Sequence, residues 1–119
     1  MSRLIMGALE AKFADIIWEK QPVSAAELAR IAMEVFGWKK PTTYTVIKRI
    51  CEKGIFENTD GIVTALMSHD DYYTAIGEDI IDAFDGSVPA FVAAFSKRRA
   101  LSPDDVAKLR QLVEEYEGE

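Results

Sequence analysis

Between Leu4 and Glu19 the apolar residues Leu9, Phe13, Ile16 and Ile17 recur at helical spacing, with Glu10, Lys12 and Glu19 on the outside. The pattern predicts a first helix, stopped by Gln21-Pro22. Ser24-Ala25-Ala26-Glu27 has the form of a capping box, in which a hydroxyl and a carboxylate satisfy backbone donors that a helix start leaves free. The second helix it opens carries the stripe Leu28, Ile31, Ala32 and Val35. After a turn at Gly37 a third helix begins near Pro41, where the missing N–H costs no intrahelical bond, and runs to Lys53 before Gly54.

The periodicity then changes. Ile55 and Phe56 precede a turn at Asn58-Thr59-Asp60-Gly61, and Ile62, Val63, Ala65, Leu66 and Met67 follow it, which reads as a short β-hairpin. Three short helices and a hairpin compose a winged helix-turn-helix, whose third helix is the one that lies in the major groove of DNA. Beyond it the chain is helical again. Ser68-His69-Asp70-Asp71 caps a helix to about Phe84 with Tyr72, Tyr73, Ile76, Ile80, Ile81 and Phe84 apolar. Gly86 breaks it, a further helix from about Ser87 to Arg98 carries Val88, Phe91, Val92 and Phe95, and Ser102-Pro103-Asp104-Asp105 starts the last. That helix is expected to bury Val106, Leu109, Leu112, Val113 and Tyr116.

The expected fold is therefore mainly α: a winged-helix head over residues 1–67 and a helical C-terminal dimerisation arm over residues 68–119. An arm of this size cannot enclose so many apolar stripes within one chain. A second copy of the segment would cover them, which predicts a twofold homodimer.

Charge sharpens this picture once it is divided along the chain. The net −6 looks wrong for a nucleic-acid partner, yet residues 1–68 carry nine basic and eight acidic side chains and residues 69–119 carry five and twelve. The acidity belongs to the arm, whereas Trp38 to Lys53 holds Lys39, Lys40, Lys48, Arg49 and Lys53 against Glu52 alone. The local field decides where a phosphate backbone docks.

Advancing about 100° per residue around the third helix puts Thr43, Val46, Ile47, Ile50 and Cys51 on one side, facing the first two helices. Thr42, Thr45, Lys48, Arg49 and Glu52 fall on the other, with Tyr44 at the flank. Hydroxyls ahead of a long guanidinium suit a groove-reading helix, and Arg49 would take a guanine edge or a phosphate. Lys39, Lys40 and Lys53, at the helix ends, would hold phosphates and fix register without reading sequence. Taken alone, such a face is more often a solvated surface; the order of elements and the local positive charge turn the reading toward double-stranded DNA.

Other residues invite blander readings. Trp18 reads as a core residue, Trp38 as one closing the turn before the third helix, Cys51 as a small buried hydrophobe and His69 as solvent-facing. One histidine and one cysteine supply no metal site and no intrachain disulfide, and no carboxylate pair is backed by a nucleophile, so neither cofactor nor enzymatic activity is expected. No stretch is apolar enough to span a membrane. The start, Met1 to Met6, lacks the features of a signal peptide, and the expected compartment is the cytoplasm.

Leu9-Glu10 with Ile16-Ile17-Trp18, the segment Trp38 to Gly54 (WKKPTTYTVIKRICEKG) and Phe91 to Phe95 followed by Leu101-Ser102 resemble the penicillinase repressor family, known as BlaI/MecI/CopY. The similarity covers nearly the whole chain and is most specific at Thr42, Thr45, Arg49, Lys53 and Gly54. It implies a winged-helix head, a helical dimerisation arm and repression by occupying a palindromic operator. Relatives controlling β-lactam resistance are inactivated by cleavage of an Asn-Phe bond, where this chain has Ala94-Phe95, so the resemblance does not carry proteolytic induction over. Copper-responsive relatives have a C-terminal cysteine cluster that Glu114 to Glu119 lacks, and copper sensing by that route is not expected. The wing carries Glu57 and Asp60 where basic residues are common, which predicts a weak grip on DNA.

Two rival readings remain. A protein-interaction module of the same fold would bind another regulator through the acidic arm, without an operator of its own. A ligand-gated regulator would use Tyr72, Tyr73 and Phe84 around a pocket, although such residues are more often core.

Overall fold

The computed structural model describes residues 4–117. Among them the order is α1 (Ala8–Lys20), β1 (Val23–Ser24), α2 (Ala25–Phe36), α3 (Lys40–Glu52), β2 (Phe56–Thr59), β3 (Ile62–Ala65), α4 (His69–Asp82), α5 (Val88–Ser96) and α6 (Pro103–Glu117). Three helices followed by an antiparallel hairpin make the expected winged helix. The chain packs as two compact units, Met1–Asp79 and Ile80–Glu119. That division falls inside α4, later in the chain than the 67/68 boundary, because Tyr72 on the first turns of α4 is buried in the first unit's core.

The first unit is assembled around Phe13, Ala14 and Ile17 of α1, Leu28 and Ala32 of α2, and Val46, Ile47 and Ile50 of α3. Ile55, Phe56, Val63 and Tyr72 complete the core from the hairpin side. Trp38 stacks on Phe36 with ring centroids 4.7 Å apart and lies 5.3 Å from Phe13, closing the turn between α2 and α3. Trp18 is half-buried, its ring 5.0 Å from Phe56 and its indole N–H donating to the Met67 carbonyl at 3.0 Å.

The hairpin closes through Asp60-Gly61, both with positive φ (53° and 85°), between the paired residues Thr59 and Ile62. A turn with two left-handed residues matches the twist of its strands, and Asp-Gly adopts it at little steric cost. The Asn58 side chain accepts from the Gly61 N–H at 2.9 Å. The sheet has a third strand that the sequence pattern did not announce. β1 pairs with β3 through Val23↔Val63 and Ser24↔Ile62, giving the order β1-β3-β2. Two residues beside Pro22 are too few for alternation to show, and an edge strand tolerates a neighbouring proline.

Three positions of the first two helices differ from the expected burial. Glu10, placed on the outside of the first helix, is 8% exposed, and Leu9, placed inside, is 52% exposed. The buried stripe of α1 runs Met6, Glu10, Phe13, Ala14, Ile17, a one-residue rotation from the expected face. Val35 is likewise exposed, since α2 buries Ala25, Leu28, Ala29, Ile31 and Ala32. His69 is half-exposed as expected, but it also packs 5.2 Å from the Trp18 ring and 4.6 Å from Tyr73.

The Tyr72 hydroxyl donates to the Leu4 carbonyl at 3.0 Å and accepts from the Met6 N–H at 3.1 Å. Burial foremost pushes its phenol above the ordinary value, against the lowering effect of the Met6 N–H. A proton held more tightly when folded contributes stability below the unfolded pKa of about 10, and that contribution is lost as pH rises through the folded value. Tyr72→Phe is therefore expected to cost about 1–3 kcal/mol at neutral pH. It should also lose less stability than the parent above about pH 10, a comparison made by urea unfolding at both pH values.

In the second unit a serine hydroxyl caps the start of both α5 and α6, the latter at the start signal the sequence carries. Ser87 accepts from the Ala90 N–H at 3.0 Å and Ser102 from the Asp105 N–H at 3.0 Å, with Asp105 accepting in return from the Ser102 N–H at 3.3 Å. Phe91 packs between Phe84 and Phe95, at 5.6 and 5.8 Å. Yet α5 and α6 bury no residue within the chain. The stripe expected to be covered, Leu109, Leu112, Val113 and Tyr116, stands exposed.

Candidate nucleic-acid interface

α3 is two-sided. Thr43, Val46, Ile47 and Ile50 are buried against the core, and Thr42, Tyr44, Thr45, Lys48, Arg49 and Glu52 are exposed. Pro41 sits in the first turn, and Lys39 at the N-cap position makes no side-chain capping bond. Lys39 and Lys40 are both exposed, adding two cations to the partial positive charge of a helix N-terminus. Lys40 Nζ stands 5.7 Å from the centre of the Tyr44 ring, a cation–π contact that leaves the ammonium at the surface. The Thr45 hydroxyl donates to the Pro41 carbonyl at 3.0 Å, so its outward lone pairs are available as acceptors.

The C-terminal turns of α3 differ from expectation in their partners. Lys53 Nζ donates to Glu10 Oε1 at 2.7 Å and to the Ile5 carbonyl at 2.8 Å, and its side chain is only 20% exposed. Arg49 Nη1 donates to Glu10 Oε2 at 3.2 Å while the side chain remains 55% exposed. Among the described residues Lys39 and Lys48 make no ion pair. The structure thus brings Lys39, Lys40, Thr42, Tyr44, Thr45, Lys48 and Arg49 to one accessible helix face, and turns Lys53 toward α1.

Sequence reasoning missed Glu10. A carboxylate spaced four and three residues from Met6 and Phe13, inside an apolar stripe, is the signal that marks it, since a buried charge requires a partner.

Thr43 Oγ1, fully buried, has no hydrogen-bond partner among the described residues. An unpaired buried hydroxyl is a net cost, and Thr43→Val, nearly the same shape, is expected to raise stability by about 1 kcal/mol in chemical denaturation without altering DNA affinity.

Between α3 and the hairpin lies an open cleft of about 670 Å³ lined by Tyr44, Ile47, Lys48, Cys51, Glu52 and Asn58. Burial, with a smaller contribution from Glu57, pushes the Cys51 thiol above its ordinary pKa. It therefore stays protonated at neutral pH and packs as a hydrophobe. Among the described residues no group of His, Cys, Asp and Glu is placed to hold a metal ion, and no helix is long and apolar enough to cross a membrane.

A three-helix head with a hairpin wing and an exposed, basic third helix defines a winged-helix protein of the transcription-regulator class. The family model of the penicillinase repressors matches residues 6–115, and the chain belongs to that family of transcriptional repressors. Comparison with curated proteins finds no match.

Proposed function

We propose that the chain represses transcription as a homodimer on a palindromic operator, each protomer laying α3 in a major groove and blocking polymerase by occupancy. The observation that carries this reading is the division of α3 into a face packed on the core and a face of Thr42, Tyr44, Thr45, Lys48 and Arg49 open to solvent. Thr42, Thr45 and Arg49 read base edges, with Tyr44 and Lys48 beside them. Lys39 and Lys40 hold phosphates at the helix N-terminus. Lys53, its ammonium on Glu10 and the Ile5 carbonyl, anchors the helix and leaves phosphates to the other lysines. The uncovered apolar faces of α5 and α6 supply the surface on which two copies meet, and the site of action is the cytoplasm. The reading assigns no catalytic step and no cofactor.

A gel shift of the full chain against the promoter region of its own operon tests the proposal. The expected result is a retarded band in the range of about 10⁻⁸ M or tighter, poorly competed by unrelated DNA. Equal competition by any DNA, or no band, contradicts it. The exposed Glu57 and Asp60 of the wing favour, in that event, the second reading, a winged-helix module that binds another regulator.

A further inference from the structure

We propose that Glu10 is a positioning residue for DNA recognition: from α1 it holds the Arg49 guanidinium in the orientation in which it meets a base pair. The inference rests on the reading of α3 as the recognition helix. Its basis is a carboxylate with 9% of its side chain exposed, each oxygen of which is engaged by a different cation of α3. A carboxylate that deep is retained at a desolvation cost, and its geometry divides the two cations sharply.

Lys53 is the anchor. Its ammonium has two acceptors, Glu10 Oε1 at 2.7 Å and the Ile5 carbonyl at 2.8 Å, and is mostly withdrawn from solvent. Arg49 is the presented group. One terminal nitrogen is tied to Glu10 Oε2 at 3.2 Å, and the side chain is otherwise more than half exposed. A guanidinium is a rigid planar fork of five donors, so fixing one nitrogen orients the rest. An untethered arginine must lose rotamer freedom on docking, and wrong bases are then rejected less sharply. Glu10 itself is buried, and acts on DNA only through Arg49.

The test uses the full chain and a duplex selected by the parent protein from a random-sequence library. Equilibrium binding is measured on that duplex, on each of its single-base-pair variants and on an unrelated duplex, for the parent, Glu10→Gln, Arg49→Ala and the double variant. Arg49→Ala should lose discrimination at one base pair per half-site, by about tenfold. Glu10→Gln should lose discrimination at that same base pair and nowhere else, and the double variant should be no worse there than Arg49→Ala. Glu10→Asp keeps the buried negative charge but shortens its reach to both cations, and the longer Arg49 contact of 3.2 Å has less to spare than the 2.7 Å contact of Lys53. Measured in parallel, it should show a smaller loss at the same position, which keeps the test decisive if Glu10→Gln folds poorly.

Unchanged discrimination in both Glu10 variants, or losses spread evenly over all base pairs, would overturn the proposal and leave Glu10 as a clamp between α1 and α3. An Arg49→Ala variant with no base-pair-specific effect, or a parent protein that enriches no duplex, overturns the recognition reading as well. The two failures are thus told apart.

Discussion

If the chain pairs as proposed, glutamate in place of both Leu112 and Val113 is expected to leave it monomeric and to weaken binding to a two-half-site duplex by about 10²–10⁴-fold, the contribution of a second linked binding event. The expectation follows from the second unit's surface. Leu112 is 62% exposed and Tyr116 79%, and Val88, Phe95, Leu109 and Val113 are also open, although every one falls at an apolar position of its helix. A helix with an uncovered apolar stripe is stabilised chiefly by what packs on it. Carboxylates placed in an apolar contact surface would oppose pairing strongly. The head should keep its fold, because the first unit's core takes no residue from α6. Sedimentation velocity at micromolar concentration, with binding measured in parallel, checks both halves of the prediction. A double variant that remains dimeric, or binds the duplex as tightly as the parent, would show that this stripe is not the interface.

The second large effect is that of salt. Lys39 and Lys40 present two exposed ammonium groups per protomer, and the proposed symmetric pair would bring four to the phosphates. Each phosphate neutralised releases condensed counterions, with a logarithmic slope of about −0.9 per contact. Raising monovalent salt from about 50 to 200 mM should then weaken binding by about 10²-fold. Lys39→Ala should lower affinity for every sequence alike and reduce the slope by about two, one contact from each protomer. Lys53→Ala, by contrast, should leave the slope nearly unchanged and lower thermal stability, since that ammonium is spent on Glu10 and the Ile5 carbonyl. Fluorescence anisotropy over a salt series measures the slopes. A Lys53 variant with the larger change of slope would reverse the division of roles drawn between the two ends of α3.

Much of this could be read in the order of residues, for identifiable reasons. Strong local signals survived folding: hydroxyl caps at Ser24, Ser68 and Ser102, the Asp60-Gly61 turn, and the 3.6-residue alternation that separates Thr43 and Ile47 from Thr45 and Arg49. What escaped depends on partners distant in sequence. β1 exists because β3 arrives beside it forty residues later, and two residues carry no period of their own. Charge alone sends Glu10 to solvent, whereas its place in the stripe is set by Arg49 and Lys53, 39 and 43 residues away. The same pair accounts for Lys53, which charge alone sends to phosphate and geometry sends to α1. At Leu9 and Val35 apolar character alone points inward, whereas small residues such as Ala14 and Ala29 take the buried positions without announcing it.

In the proposed complex the outward face of α3 enters a major groove, once from each of two symmetric copies. Guanine N7 lies in that groove, so dimethyl sulfate protection on a selected duplex reports on it directly. The account predicts two protected patches, related by twofold symmetry and centred about 10 base pairs or a multiple of that apart. Both should be lost with Arg49→Ala at the guanines it contacts. Full methylation of every guanine in the bound duplex, or protection confined to a single unpaired patch, would contradict it.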